Sequence, residues 1–590
     1  MKGLLGEKRK AYTMQHFQKD LLSGVIVGVI AIPLAMAFAI ASGVKPEYGI
    51  YTSIIAGILI SIFGGSKFQI GGPTGAFVPV LLGIVITYGY ADLLIAGFLA
   101  GIILVLMGLF KIGSLIKFIP RPVTVGFTSG IAVIIFTGQI ENFLGLTGFE
   151  KHEQFLYNMK EIMLHLHTTS MSSIIIAIVS LVVILITPKL LPKIPGSIIG
   201  IIVSTIVAMV FFKDSIATIG NTYGAIPSSL PEFQLPVITW EKISTLIVPA
   251  FVIAALGGIE SLLSAVVADG MTNTRHNSNR ELVGQGIANM VTPLFGGIPA
   301  TGAIARTATN IKSGAVSRMS GVIHGLFILL TLLLFAPFAS YIPLASMAPV
   351  LMIVAWNMAE RRNFVDLLKR KTGDSLILVV TFLLTVLTSI TTAVIVGLIL
   401  ALVLFAKRMS NLLVVSKVLP DHDEVSQVVR PYMVTDKHDC PQISIYTIEG
   451  PLFFGAAQVF EQRVMESIHY KPKVLILRMG NVPFMDATGE ANFKNIVLHF
   501  QKNGGKILVS GAVPTVKEKL KRSGLYETIG EGNFFDHTGE AITYAITKIN
   551  HEACIGCKHF AFHECKVLSE TGKIQAEIGN RRKMEYAGKS

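Results

Sequence analysis

The sequence predicts a mainly α-helical membrane protein with fourteen transmembrane segments, followed by a small α/β domain. Three observations support this. The mean hydropathy is +0.62 and only 15% of residues are charged, whereas soluble domains carry about 25%. Apolar runs of roughly 17 to 25 residues recur from Leu21 to about Phe405, each able to cross a hydrocarbon core about 30 Å thick. After Arg408, short apolar runs alternate with amphipathic ones, as in a soluble α/β unit.

The segments start near residues 21, 46, 74, 92, 122, 171, 196, 245, 281, 301, 318, 340, 374 and 391. Lysines and arginines set their orientation. Lys2, Lys8, Arg9, Lys10 and Lys19 precede the first segment and place the N-terminus inside. The inside connections then hold Lys67; Lys111, Lys117 and Arg121; Lys189 and Lys193; Arg275 and Arg280; Lys312 and Arg318; Arg361, Arg362, Lys369, Arg370 and Lys371; and Lys407 and Arg408. The outside connections hold only Lys45, Lys151, Lys160, Lys213 and Lys242. This asymmetry supports an even number of spans and a cytoplasmic C-terminus. The net charge of +13 is therefore topological, and no nucleic-acid partner is expected. A signal peptide ending near Ala39-Ile40-Ala41 is the rival reading of the start. Its apolar run is too long, and cleavage would leave an odd span count. The four cysteines all lie beyond residue 439, which fits a reducing compartment without a disulfide framework.

Residues 1–20 read as a basic lead-in and 21–408 as the membrane unit. Residues 409–435 read as a linker with Pro420 and Pro431, 436–550 as the soluble domain, and 551–590 as a polar, partly disordered tail. Gly24/Gly28, Gly97/Gly101, Gly126/Gly130 and Gly321/Gly325 are small-residue pairs that let helices approach closely. Two long outside stretches cover 146–170 and 213–243; Pro227, Pro231 and Pro236 make the second extended. In the soluble part, strands are expected over Ile443–Ile448, Val474–Met479 and Ile507–Ser510, and helices over Val459–Ile468, Ala487–Gln501 and Val516–Arg522.

Two segments are interrupted. Gly71-Gly72-Pro73-Thr74-Gly75-Ala76 and Gly296-Gly297-Ile298-Pro299-Ala300-Thr301-Gly302-Ala303 each combine a Gly/Pro break with a Thr suited to cap a helix. Each leads into a helix too short to span a bilayer, and each is third in its half of the hydrophobic region. Matching broken helices are the sequence mark of a transporter's central binding site.

Three stretches resemble the SulP (sulfate permease) family of anion transporters. They are Pro46-Glu47-Tyr48-Gly49-Ile50-Tyr51-Thr52-Ser53 with Gly64-Gly65-Ser66-Lys67, Asn277 to Asn289, and Arg306 to Gly314. Ile50 stands where the family usually has Leu. The soluble part resembles a STAS domain, with Met485-Asp486-Ala487-Thr488-Gly489 matching the loop whose hydroxyl is phosphorylated in anti-sigma factor antagonists. The resemblance implies a 7+7 inverted repeat, with segments 1–4 and 8–11 forming a core that moves against a gate. It also implies a homodimer.

An anion losing its hydration shell needs fixed positive potential in exchange. A helix N-terminus supplies roughly half a positive charge and unpaired N–H groups. The expected substrate site is Thr74, Gly75, Ala76, Phe77, Thr301, Gly302, Ala303, Ile304 and Arg306, with backbone N–H groups from Ala76, Phe77, Gly302, Ala303 and Ile304. Arg306 reads as an anion-attracting charge or as half of a structural ion pair. Glu260 is the sole carboxylate within its span, and Ser264 shares its helical face. The matching family position is usually acidic, so both residues are assigned to a coupling ion. Glu260 has three readings: cation ligand, proton carrier, or static partner of Arg306. Phe38 and Tyr51 read as pocket-lining or core aromatics, and Gln285 and Asn289 as helix-to-helix hydrogen bonders.

Thr488 reads as a regulatory phosphoacceptor or as a plain capping hydroxyl. In the tail, Cys554, Cys557, His559, His563 and Cys565 have zinc-ligand character, with a redox or incidental role as the alternative. The run at 71–76 lacks the Lys and hydroxyl of a phosphate-binding loop, and no soluble catalytic constellation stands out, so no enzyme activity is expected. The expected function is secondary active transport of bicarbonate, sulfate or a dicarboxylate with H+ or Na+ coupling. The expected location is the plasma membrane, in contact with lipid. Alternatives are a sensor or scaffold recruiting cytosolic proteins through the STAS part, or an uncoupled anion channel. No cofactor beyond the coupling ion and the possible tail zinc is expected.

Overall fold

A computed structural model describes residues 12–114, 119–191, 195–212, 215–420, 429–430, 434–435, 438–468 and 472–571. Lys2, Lys8, Arg9, Lys10, Lys117, Lys193, Lys213, Pro431 and the tail from 572 onward lie outside them. The chain divides into two compact units, 1–401 and 402–590.

A helix stands at each expected segment, the last of them running from the first unit into the second. They are α1 (Met14–Ala41), α2 (Pro46–Phe63), α3 (Val78–Tyr88, entered through a 3-10 turn over Gly75–Phe77), α4 (Tyr90–Leu109), α5 (Arg121–Gly138), α6 (Met171–Leu190) and α7 (Gly196–Phe211). Then follow α8 (Trp240–Thr272), α9 (Ser278–Val291), α10 (Ile304–Lys312), α11 (Met319–Ala339), α12 (Leu344–Met358), α13 (Gly373–Leu387) and α14 (Ile390–Ser410). Among the described residues, eight helices are long and apolar enough to cross a membrane. The helices over Gly75–Tyr88, Gly196–Phe211 and Gly373–Leu387 are apolar but shorter.

Local sequence sets the helix starts. Thr239 and Asn277 accept the backbone N–H groups of Lys242 and Arg280 (3.3 and 3.0 Å), as N-caps do. Pro46 and Pro122 open α2 and α5, where a missing N–H costs nothing. Of the two stretches expected outside, the first contains a helix over Phe155–His165. The second holds one short helix, Ile219–Tyr223, before a non-helical run through its three prolines.

Packing falls into two sets. In one, α4 lies on α8 and α9, α2 on α9 and α11, and α1 on α11; in the other, α5 lies on α12 and α13, and α6 on α7 and α12. Small residues sit at these crossings. A Cβ on Gly101 would stand 2.7 Å from the Gly286 carbonyl oxygen, and one on Gly126 would stand 2.7 Å from that of Leu378. No side chain fits at either contact, so α4–α9 and α5–α13 pack backbone to backbone.

The second unit is a five-stranded sheet in the order β3-β4-β5-β6-β7: β3 (Val414–Lys417), β4 (Ile443–Glu449), β5 (Val474–Asn481), β6 (Lys506–Ser510) and β7 (Phe534–Phe535). The β3–β4 pair is antiparallel and the others parallel. Helices α15 (Ala457–Ile468), α16 (Ala487–Lys502) and α17 (Pro514–Arg522) make the crossovers. On one sheet face Ile448 and Leu477 pack with Phe460 of α15 and Phe493 of α16. The other carries Ile445, Ile476 and Leu508, packed with Ile542 of α18 (Thr538–Ile546).

Two stretches differ from the sequence reading. Residues 414–417, inside the expected linker, form the edge strand β3. Residues 551–571, inside the expected loose tail, fold onto the sheet: Ala561, Phe562 and Leu568 are buried against its second face, and α19 (Cys565–Thr571) closes it. These apolar residues are scattered among charges, so no run announces them.

Candidate functional site

The two breaks meet. Strand β1 (Gly71–Gly72) pairs antiparallel with β2 (Thr301–Gly302), Gly71 opposite Gly302 and Gly72 opposite Thr301. Neither segment forms this ladder alone. Pairing brings the starts of α3 and α10 to one place, and Ala303 N–H donates to the Ile70 carbonyl (2.9 Å) beside it.

Helix α8 lays one polar stripe along this junction. Gly257, Glu260, Ser261 and Ser264 follow i, i+3, i+4, i+7 spacing and share a face. Thr301 donates its hydroxyl to the Gly257 carbonyl (3.1 Å), and the Ser261 and Thr301 hydroxyls are 2.6 Å apart. Gly302 N–H donates to Ser261 Oγ (3.0 Å), and Gln69 Nε2 donates to the Ser261 carbonyl (3.1 Å). Thr74 donates its hydroxyl to Glu260 Oε2 (2.9 Å). Ser264 donates to Thr307 Oγ1 (3.2 Å), one turn into α10.

Neither threonine acts as the expected helix cap. The Thr74 hydroxyl turns to Glu260, and Thr301 lies in β2 while Ala303 occupies the cap position of α10. The α8 stripe supplies better-placed partners for both hydroxyls.

The backbone donors also differ from expectation. Phe77 N–H goes to the Thr74 carbonyl, Gly302 N–H to Ser261 and Ala303 N–H to Ile70. Those three of the five proposed donors are occupied. Each helix start leaves its first N–H groups without intrahelical partners. Here they belong to Gly75 and Ala76 on one side, and to Ile304, Ala305 and Arg306 on the other. None of the five finds a protein acceptor among the described residues. Ile304 and Ala305 are exposed and Glu260 is half-buried, so the junction is open on the α10 side, whereas Gly75 and Ala76 are buried.

Arg306 is 3% exposed. Its Nη2 donates to the Pro73 carbonyl, and its Nη1 has no partner among the described residues. It makes no direct ion pair with Glu260. Gly72 (φ +148°) makes room for it: a Cβ there would lie 2.6 Å from Nη1 and 3.2 Å from Ser53 Oγ. Ser53 Oγ and Gln69 Oε1 are likewise buried and unpartnered. Phe38, Ile135 and Met358 stand over Gly75, so α1, α5 and α12 cover the start of the first half-helix. Phe77 is fully buried against Gly257. Tyr51 tilts against Tyr48, which stacks on Tyr90 at 4.2 Å.

A polar ladder on α9 holds the second break in shape. Glu281 accepts the N–H groups of Gly65 and Ser66 (2.7 and 2.9 Å) and the amide of Gln285 (2.9 Å). Asn289 clamps Ala300, donating to its carbonyl and accepting its N–H, both at 2.8 Å. Asn289 therefore serves an irregular backbone segment, and Gln285 its own helix; neither makes the expected helix-to-helix bond. Sequence reasoning missed Ser53, Gln69 and Ser261. The Ser261 signal was legible as the polar stripe within 257–264.

In the soluble unit Asp486, not Thr488, caps α16, accepting Gly489 N–H (2.7 Å) while its other oxygen accepts Phe454 N–H (2.9 Å). Thr488 is exposed two positions further on. In the tail, Cys554, Cys557, His559 and Cys565 line one cavity, whereas His563 is exposed and does not. As the side chains stand, no three His, Cys, Asp or Glu among the described residues are placed to hold a metal ion together.

Residues 17–381 match the sulfate permease family and residues 434–541 the STAS domain. The chain is 55% identical to the putative sulfate transporter YvdB of Bacillus subtilis (strain 168), over 90% of this chain and 98% of that one. It is 29% identical to the bicarbonate transporter BicA of Synechocystis sp., over 91% and 96%. The solved structure of SLC26A9 superposes with a TM-score of 0.81 at 19% identity, covering 92% of each chain, which shows a shared fold.

Proposed function

Because the chain belongs to the sulfate permease family and carries its STAS domain, we propose that it is a secondary active transporter of small anions. The observation that supports this most directly is the β1–β2 pairing, which brings two half-helix starts, with five N–H groups unpaired among the described residues, to one junction that is open at Ile304 and Ala305. Two such termini together offer about one positive charge, and Arg306 adds an unfilled donor beneath them. Sulfate and bicarbonate, named for relatives, are the leading substrates, with a dicarboxylate third.

In this reading the fourteen segments form a 7+7 inverted repeat. The set built from α1–α4 and α8–α11 is the mobile core, and the set built from α5–α7 and α12–α14 is the gate. The antiparallel pairing of the two breaks suits an inverted relation between halves. Glu260, on the junction's rim, carries the coupling proton or Na+. When ionised it offsets the local positive potential; a bound cation restores it. The protein works as a homodimer in the plasma membrane, with both termini cytoplasmic and the STAS domain open to cytosolic partners.

Uptake of labelled sulfate, bicarbonate and succinate into proteoliposomes, with pH and Na+ varied, tests this. Accumulation against a gradient supports the proposal. Dissipation alone identifies a channel, and absence of flux a sensor or scaffold.

A further inference from the structure

All four cysteines of the chain face one small cavity in the soluble unit, although 114 residues separate Cys440 from Cys554. Cys440 precedes β4, Cys554 and Cys557 form a C-x2-C turn, and Cys565 opens α19. Cys440, Cys554 and Cys565 pack against the same apolar cluster on the second sheet face. Three of the four lie beyond the STAS match, which ends at residue 541, and Cys440 lies within it.

The surroundings are built around the sulfurs. Gln442 Nε2 donates to Cys554 Sγ (3.4 Å), and Phe562 N–H donates to Cys565 Sγ (3.3 Å). Gln442 also exchanges two 2.9 Å bonds with the backbone of Asn550, which fixes the entry to the C-x2-C turn. Cys557 N–H donates to the Cys554 carbonyl (3.0 Å), closing that turn. The turn is hooked to α19 by Gly556 N–H on the Ser569 carbonyl (3.1 Å) and by Ser569 Oγ on the Cys557 carbonyl (3.0 Å). Donors aimed at sulfur are the outer contacts that orient and stabilise metal-bound thiolates.

We infer that Cys440, Cys554, Cys557 and Cys565 form a four-thiolate zinc site that fastens the C-terminal extension to the STAS sheet. A cavity of about 30 Å³ suits one ion rather than a multi-iron cluster. Soft, four-sulfur donor sets select zinc among the abundant divalent ions. In the metal-free arrangement the sulfurs stand apart. Zinc bound here would hold all four sulfurs as thiolates and draw them together around one ion. Binding releases the thiol protons to solvent as the sulfurs coordinate. His559 borders the cavity as a bystander, and His563 takes no part.

The test is elemental analysis of the full-length protein, purified in detergent without added metal or chelator. About one zinc per chain is expected, and cobalt substitution is expected to give thiolate-to-metal charge-transfer absorption. Chelation is expected to expose about four reactive thiols. Cys440→Ser is expected to lower zinc content at least tenfold, and His563→Ala to leave it unchanged. Zinc-free wild-type protein with four freely reactive thiols overturns the inference. So does a Cys554–Cys557 disulfide in unreduced protein, or zinc retention in the Cys440→Ser variant.

Discussion

Thr74 and Glu260 are joined by a 2.9 Å hydrogen bond that ties the start of the first half-helix to the middle of α8. The bond places the junction's carboxylate against the residue that leads into the unpaired N–H groups. Charge on Glu260 and geometry at Thr74 are thus linked, yet two substitutions separate them. Glu260→Gln keeps an acceptor for Thr74 and removes the charge; Thr74→Val keeps the charge and removes the bond. Glu260→Gln is expected to transport with little dependence on pH or Na+. Thr74→Val is expected to keep that dependence with apparent affinity weakened roughly fivefold, the worth of about 1 kcal/mol. Tracer uptake across a matrix of pH and Na+ reads both. Unchanged ion dependence in Glu260→Gln removes the carboxylate from coupling.

Gly72 and Arg306 make a steric prediction. At φ +148° with Arg306 Nη1 in the way, Gly72→Ala must shift the guanidinium or the β1–β2 ladder. Uptake is expected to fall more than tenfold while the protein still elutes as one species. Arg306→Lys retains the charge but loses the planar fork that reaches Pro73 while presenting a second nitrogen. A loss of roughly tenfold in apparent affinity is expected, with a smaller effect on maximal rate. Full activity in both variants argues against a role for Arg306 beside the anion.

Much of this site was legible because it rests on backbone. Gly, Pro and Thr at each break announced two interrupted helices, and the positions of Glu260 and Arg306 stood out as charges in apolar runs. What stayed hidden was the partner of each hydroxyl and N–H. The β1–β2 ladder joins residues 229 and 231 apart, and nothing local specifies that Gly302 spends its N–H on Ser261. In the soluble domain the parallel strands read well as continuous apolar runs. Strand β3 did not, because Val414–Lys417 pairs on one side only and carries a lysine.

Asn289 gives a stability prediction. It completes both backbone hydrogen bonds of Ala300, which is fully buried. Asn289→Leu leaves that N–H and carbonyl unpaired, at about 1–3 kcal/mol per group. Heating followed by size-exclusion chromatography is expected to show the variant losing its single peak several degrees below wild type. Asn289→Asp, which keeps the acceptor for Ala300 N–H, is expected to fall between them. Equal stability of all three dismisses the clamp.

Alkaline pH is expected to loosen the C-terminal extension in chelator-treated protein. Burial raises the Cys440 thiol from 9.0 to about 11 and raises Cys565 further. A folded-state pKa above the unfolded value gives stability that is complete below pH 9 and declines as pH climbs through 11. Limited proteolysis of residues 551–571 is expected to accelerate over that window and to stay flat between pH 6 and 8. Acceleration at acidic pH instead contradicts the assignment.

Asp486 and Thr488 divide structure from regulation at the start of α16. Asp486 binds two backbone N–H groups, so Asp486→Ala is expected to destabilise the soluble unit by about 1–2 kcal/mol. Thr488 is exposed, and Thr488→Ala is expected to stay within about 0.5 kcal/mol. Thr488 is the exposed hydroxyl at this helix start that we propose as a phosphoacceptor. The added charge would meet both the favourable helix terminus and the nearby Asp486 carboxylate. Phosphopeptide mass spectrometry on protein from cells grown with and without the transported anion decides the matter. Thr488 unmodified under every condition leaves it a surface residue, and phosphate on Thr488 that changes with supply marks it as the control point.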